Sequence, residues 1–455
     1  MKQNAVASKA GANGNVVAII AMFFLFAMIS FVTNLAAPLG TIWKNNYEWS
    51  GMLGNLMNFL AYLFMGIPAG NLLVKIGYKK TALYAMIVGL VGLVFQWLSG
   101  IVGTETGVFA YGGQTVTLNF IIYLLGAFIC GFCVCMLNTV VNPMLNLLGG
   151  GGNRGNQLVQ MGGSFNSLSG TLTPLFVGML IGQVTQSTTM GNVAPLLFIA
   201  MGVFVLAFII ISAVHIPEPH MQKAGVKKVK FSHSPWNFRH TVLGVIGIFF
   251  YVGIEIGIPG VLIFYLSDSA ASGITENATA VAGGVAAIYW LLMLVGRLVS
   301  SAISGNVSSR AQLLTVSTVA IFLICIAIFL PSDIRVSMPS YSSESGFALA
   351  QVPAKAMFLV LCGLCTSVMW GGIFNLAVEG LGKYTAQASG IFMMMVVGGG
   401  VMPLIQNAIA NSAGYMVSYW LVVAMLAYLF FYALTGYRNV NRDIPVDEEP
   451  DPRDL

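Results

Sequence analysis

Glu255 is the residue of this chain best placed to handle a cation. The sequence holds fifteen acidic residues. Glu48, Glu105, Asp268, Glu276, Asp333 and Glu344 fall in or beside polar connections on one side of the apolar segments. Glu218, Glu379 and the tail from Asp443 to Asp454 fall on the other. Glu255 alone sits well within an apolar segment. An ionised carboxylate at bilayer depth costs about 3 kcal/mol or more, so it must bind a proton or cation, meet a partner, or face water. The four histidines lie in or near the central connection, and no Lys or Arg is read as lying mid-segment, so Glu255 is expected to lack a counter-charge. Arg297 is read as a structural residue at the inner end of the eighth segment.

Pro259 follows Glu255 by four residues and removes the N–H that would bond the Glu255 carbonyl. Asn34 and Pro38 repeat this arrangement with an amide. Two such kinks, facing each other, would present free carbonyls and polar side chains to a central cavity, where irregular backbone is tolerated. The remaining polar residues at depth are mostly amides: Asn58, Asn138, Asn142, Gln160, Asn166, Asn375 and Asn407. An amide both donates and accepts, which suits a polyhydroxylated ligand. Trp290 and Trp370 offer flat faces on which a ligand with an apolar face can stack. Residue type alone does not choose among these amides, each of which can equally bond a neighbouring helix; Glu255 is the candidate coupling group.

These side chains need apolar helices to hold them. The chain has 455 residues, of which 57 % are hydrophobic and 8 % charged, and its mean hydropathy is +0.84. A soluble domain carries about 25 % charged residues. The apolar runs exceed ~18 residues and lack a ten-residue alternation, which favours membrane helices over a barrel. About twelve spans are expected, near 16–40, 50–74, 81–100, 118–148, 157–184, 193–215, 239–267, 279–304, 309–331, 354–382, 385–411 and 416–437. They divide into an N-terminal six-helix half (1–215), a central loop (216–238), a C-terminal half (239–437) and an acidic tail (438–455).

All but Lys44, Arg335 and Lys355 of the 20 Lys and Arg residues fall on the side of both termini. The positive-inside rule makes that side cytoplasmic. No basic patch is interleaved with aromatics, so a nucleic-acid partner is not expected. Cys130, Cys133 and Cys135 lie mid-span without a nearby His and read as small packing residues rather than a metal site. A membrane enzyme would need a catalytic cluster of His, Asp or Glu, and the spans carry none.

The Asn34–Pro38 pattern of the first span and the Glu255–Pro259 pattern of the seventh suggest a six-plus-six duplication. Asn146 and Pro174 of the fourth and fifth spans recur as Asn375 and Pro403 of the tenth and eleventh at nearly the same offset. Parallel halves with a midplane site are a transporter plan. The segment Gly70 to Lys80 is similar to the loop motif of major facilitators, with Val74 where an acidic residue is usual.

The chain as a whole resembles the fucose–galactose–glucose:proton symporter family of the major facilitator superfamily. The resemblance rests on Ile67-Pro68-Ala69-Gly70, Leu137-Asn138-Thr139 through Asn142-Pro143, Gln160 with Ser164-Phe165-Asn166-Ser167, and Tyr251-Val252-Gly253. It extends through Gly296-Arg297, Ile373-Phe374-Asn375-Leu376 and Gly398-Gly399-Gly400 ahead of Pro403. It implies an all-α membrane protein with the major facilitator fold, twelve helices in two halves, importing a monosaccharide as a monomer in a bacterial inner membrane. No cofactor is implied beyond a coupling proton or sodium ion. The resemblance favours Asn138, Asn142, Gln160 and Asn166, which match family motifs, and favours Trp370 over Trp290 because the tenth helix lines the cavity in this fold; with Asn34 and Asn375 these make the expected substrate-contacting set, and Glu255 is the expected coupling group. The family's fucose-permease branch carries acidic residues at the positions of Asn34 and Asn138, so coupling cannot use those two places here. An uncoupled facilitator and an exporter of amphipathic molecules are the alternatives. An acidic sugar is disfavoured by the lack of a mid-span cation to pair with it.

Overall fold

In a computed structural model of the chain, the described residues are 12–149, 152–181, 188–216, 233–303, 307–342, 346–381 and 384–446. Most of the central loop, with Lys223, Lys227, Lys228 and Lys230, and the tail beyond residue 446 lie outside them.

The first half consists of α1 (Ala12–Asn46), α2 (Leu53–Ile76), α3 (Tyr78–Leu98), α4 (Leu118–Leu148), α5 (Gly152–Ile181) and α6 (Ala194–Ala213), with strands β1 (Gly107–Tyr111) and β2 (Gln114–Thr117) between α3 and α4. The second half opens with α7 (Arg239–Ser267), α8 (Ala278–Ile303) and α9 (Ser309–Phe329), followed by β3 (Arg335–Ser342) and β4 (Gly346–Pro353). Its tenth span is split into α10 (Ala354–Thr366) and α11 (Met369–Val378), its eleventh into α12 (Thr385–Met395) and α13 (Gly398–Ala413), and α14 (Tyr415–Phe431) closes it. Among the described residues, 11 helical segments are long and apolar enough to cross a membrane. The twelfth span is α5, whose 30 residues are studded with Asn, Gln, Ser and Thr.

The two hairpins sit at the same end of the bundle, in the connections between the third and fourth and between the ninth and tenth spans. β1 and β2 join through Gly112 (φ 60°) and Gly113 (φ 78°). A two-residue turn with both φ positive matches the right-handed twist of a hairpin, and glycine adopts it without strain. β3 and β4 pair antiparallel from Arg335 opposite Pro353 to Ser342 opposite Gly346. Together they mark one end of the molecule, the hairpin end.

Helices within each half approach closely at small residues, the packing mode expected where lipid removes the hydrophobic drive between helices. A Cβ on Gly92 of α3 would lie 2.9 Å from the Gly126 carbonyl of α4, and one on Gly126 would lie 2.8 Å from the Gly92 carbonyl. Cys130 and Cys133 fill the neighbouring space against Gly92 and Gly89, as expected for packing residues. In the tenth span, the Ser367 hydroxyl donates to the Leu364 carbonyl at 2.6 Å and Thr366 to the Cys362 carbonyl at 3.2 Å, beside the break before Met369. Such back-bonding competes with the helix ladder and bends it.

Candidate functional site

The two halves meet along α5 and α8 on one side of the molecule and along α2 with α12 and α13 on the other. α5 and α8 run antiparallel. Gly163 of α5 faces Arg297 of α8, and seven residues along each helix Gly170 faces Trp290. Seven residues are two turns, about 10 Å of axial rise. Asn166 lies between the two glycines on this stripe, since positions three and four apart share a helix face. Its side chain is half-buried.

Glu255 lies on α7 beside this seam, and it has a counter-charge. Arg297 Nη2 is 3.5 Å from Glu255 Oε1, and the two side chains are 13 % and 15 % exposed. The expectation that Glu255 lacks a counter-charge is therefore corrected, and Arg297 is the residue that supplies it. The sequence reading assigned Arg297 by the position of its backbone, near the far end of its span. A long side chain extends its charge well away from its Cα, here back into the bundle. Arg297 Nη1 also donates to the Gly163 carbonyl at 2.6 Å, across the junction between halves. A buried pair of this kind leaves an expensive lone charge if either partner is removed.

Three phenols lie in the wider neighbourhood of the carboxylate. Tyr251, one turn before Glu255, is within interaction range of both members of the pair, yet its buried hydroxyl makes no hydrogen bond of good geometry among the described residues. Tyr289 of α8 and Tyr62 of α2 lie within electrostatic reach of Glu255. Tyr62 extends the cluster into the first half, because Asn138 Nδ2 donates to its hydroxyl at 2.7 Å. Trp370 reaches the cluster through Tyr251, with ring centroids 6.1 Å apart.

Asn34 arrives by another route. Its Nδ2 donates to the Ser30 carbonyl at 2.9 Å and the Ser30 hydroxyl at 3.0 Å. Asn34 Nδ2 and the Trp290 indole each come within 3.3 Å of the position a Cβ would take on Gly170. Asn34 thus reaches the seam between α5 and α8 through Gly170 and Trp290. Asn142 turns its amide back to the Asn138 carbonyl at 3.0 Å. Asn375 is exposed and lies about 140° around α11 from Trp370, so this structure does not bring it to the cluster. Gln160 lies on α5, and its side chain falls outside the described ones.

The hairpin end is closed by contacts that the sequence reading missed. Lys44 of α1 places its ammonium 4.4 Å from the ring centre of Phe264 and 5.6 Å from that of Tyr415, both in the second half. Asn55 Nδ2 of α2 donates to the Gly399 carbonyl at 2.7 Å. Pro403 frees that carbonyl by the four-residue rule applied above to Glu255 and Asn34, so Pro403 was the signal. A Cβ on Gly400 would lie 2.9 Å from Leu56 Cα, so α13 lies directly on α2 there.

The family model of the Major Facilitator Superfamily matches residues 18–402. A glucose/galactose transporter of Brucella abortus biovar 1 (strain 9-941) is 30 % identical over 425 residues, covering 92 % of this chain and 93 % of the relative. The L-fucose-proton symporter of Escherichia coli (strain K12) is 22 % identical over 442 residues, covering 90 % of each chain. The crystal structure of a point variant of the E. coli fucose:proton symporter matches with a TM-score of 0.67 at 18 % identity, over 94 % of this chain and all of that one. These relatives are named as transporters rather than enzymes. With its paired six-helix halves and this family match, the chain belongs to the Major Facilitator Superfamily, in the group of the fucose–galactose–glucose:proton symporters.

Proposed function

We propose that this protein imports a neutral monosaccharide across a bacterial plasma membrane by alternating access, coupled to protons through Glu255. The observation that carries the reading is the Glu255–Arg297 pair, buried beside the seam where the halves must part. A carboxylate whose partner also grips the opposite half is where a bound cation and a change of conformation can be linked. The family's usual carboxylate positions are the amides Asn34 and Asn138, which leaves Glu255 as the intramembrane acid. Trp290, Trp370, Asn34, Asn138 and Asn166 supply stacking faces and amide groups around the same seam. Ionised Glu255 balances Arg297, which favours an uncharged sugar over an acidic one. With the positively charged side facing the cytoplasm, the hairpin end is extracellular and the state described here is closed to the outside.

The test is uptake of labelled hexoses, deoxyhexoses and N-acetylhexosamines into proteoliposomes under an imposed proton or sodium gradient. Accumulation of one sugar above equilibrium under a proton gradient, reduced to equilibration in Glu255→Gln, is the expected result. Accumulation driven by sodium alone would replace the proton by sodium. Equilibration only, in wild type as in the variant, would make the protein an uncoupled facilitator.

A further inference from the structure

Arg297 touches both halves at once, and unequally. Nη1 sits 2.6 Å from the Gly163 carbonyl of the first half, whereas Nη2 sits 3.5 Å from the Glu255 carboxylate of its own half. A charge-assisted N–H···O bond is normally ~2.7–2.9 Å. The guanidinium therefore grips the carbonyl and only leans on the carboxylate. A Cβ on Gly163 would lie 2.9 Å from Nη1, so the guanidinium would have to shift from its present place against the carbonyl.

We infer that Arg297 is a positioning residue that ties the charge on Glu255 to the contact between α5 and α8. This rests on the reading of Glu255 as the coupling carboxylate. With Glu255 ionised, the guanidinium is drawn fully onto it and the Gly163 bond is given up, so the hairpin end is free to open. When a proton binds one Glu255 oxygen, the ion pair is dissolved. Arg297 keeps its own proton and charge, and the Gly163 carbonyl becomes its strongest acceptor. The hairpin end closes, as described here. One proton is gained from solution, the site passes from neutral to singly positive, and no covalent bond other than that O–H changes. The other titratable groups within reach of Glu255 are the phenols of Tyr251 on its own helix, Tyr289 on α8 and Tyr62 on α2. Each is a neutral hydroxyl, so among the described residues only Arg297 can answer the carboxylate with charge.

The experiment measures the distance between spin labels at Asn46→Cys and Glu276→Cys, exposed positions of the two halves at the hairpin end. The full chain carries Cys325→Ser, which removes the one cysteine that is not buried, and it is held in lipid nanodiscs without sugar. In this background the short-distance population is expected to grow as pH falls from mildly alkaline to mildly acidic. The ratio of short to long should change by roughly tenfold, the factor expected from one charge-assisted hydrogen bond. Glu255→Gln should hold the acid-like distribution at every pH, and Arg297→Gln should abolish the response. Gly163→Ala leaves every titratable group in place and should weaken closure at low pH, so misfolding of the Arg297 variant does not decide the matter. A normal pH response in Arg297→Gln, or unchanged closure in Gly163→Ala, would overturn the inference. Sugar uptake by the same proteins separates it from the functional reading. A pH response lost with Arg297, without sugar accumulation, would defeat symport alone. Glu255-dependent accumulation with the response intact in Arg297→Gln would defeat the inference alone.

Discussion

Lys44 and Phe264 bind the two halves together at the hairpin end, with the Lys44 ammonium 4.4 Å from the ring centre. Lys44 is one of three basic residues on the side the positive-inside rule leaves poor in them. Its place is explained by the rings it meets, Phe264 and Tyr415, rather than by topology. Gly51 leaves room for this contact, since a Cβ there would lie 3.0 Å from Phe264 Cζ and 3.3 Å from Lys44 Cβ.

Lys44→Met should therefore favour opening of this end. A cation–π contact is worth ~0.5–2 kcal/mol, a shift of roughly two- to thirtyfold in the balance of states. The label pair described above reads it as a growing long-distance population. Lys44→Arg, which keeps a cation over the rings, should restore the wild-type balance.

Asn55→Leu should act in the same direction through the opposite side of the junction. It removes the donor that satisfies the Gly399 carbonyl and leaves a buried acceptor unpaired. The penalty is about 1–3 kcal/mol and falls on the closed state, so alkylation of a cysteine reporter at the hairpin end should become several-fold faster. An unchanged rate would show that the carbonyl finds another donor.

Trp290→Ala and Trp370→Ala should separate two roles for indoles near the seam. Trp290 is buried against Gly170 beside Asn34, while Trp370 packs on Tyr251 next to the ion pair. Loss of Trp290 should raise the half-saturating sugar concentration about tenfold or more with the maximal rate less affected. Loss of Trp370 should also raise the half-saturating sugar concentration, and in addition alter the pH dependence of uptake through Tyr251. Initial-rate uptake across sugar concentration and pH distinguishes the two.

Gly131→Leu should damage assembly rather than transport as such. The first carbon of a side chain there would meet the Asn58 carbonyl of α2 and lie 2.6 Å from Ala61 Cβ. α4 cannot then approach α2, and overpacking of this kind costs ~1–3 kcal/mol or more. The expected outcome is a lower melting temperature in detergent and reduced yield of folded protein.

The helices were largely legible because apolar length in a bilayer leaves the backbone few choices. The fourth span was expected at 118–148 and α4 covers Leu118–Leu148. α5 begins at Gly152, five residues before the expected 157, because its first turns are too polar to register as apolar. The β1–β2 hairpin carried a readable mark in Gly112-Gly113 between alternating residues, overshadowed by the long spans on either side. Glu255 could be found by elimination among fifteen acids, whereas its partner could not. A charge count places Arg297 by its Cα, and only the fold reveals that its side chain turns inward to Glu255 and Gly163. The amides were visible as a class, but which of them share a neighbourhood depends on helix rotation. Asn34 meets Trp290 through Gly170, while Asn375 is exposed on α11.

The polarity of α5 has a consequence for how the chain is made. Its 30 residues include Asn153, Arg154, Asn156, Gln157, Gln160, Asn166 and several Ser and Thr, and polar side chains of this sort oppose entry of a single helix into hydrocarbon. The neighbours against which it ends up packed include α1 and α4, which precede it, and α8, which emerges from the ribosome much later. During synthesis α5 must either shelter against α1 and α4 or linger near the interface until α8 arrives. The same stripe of small and polar residues that lines the seam in the finished transporter is thus the segment whose insertion depends most on the company it keeps.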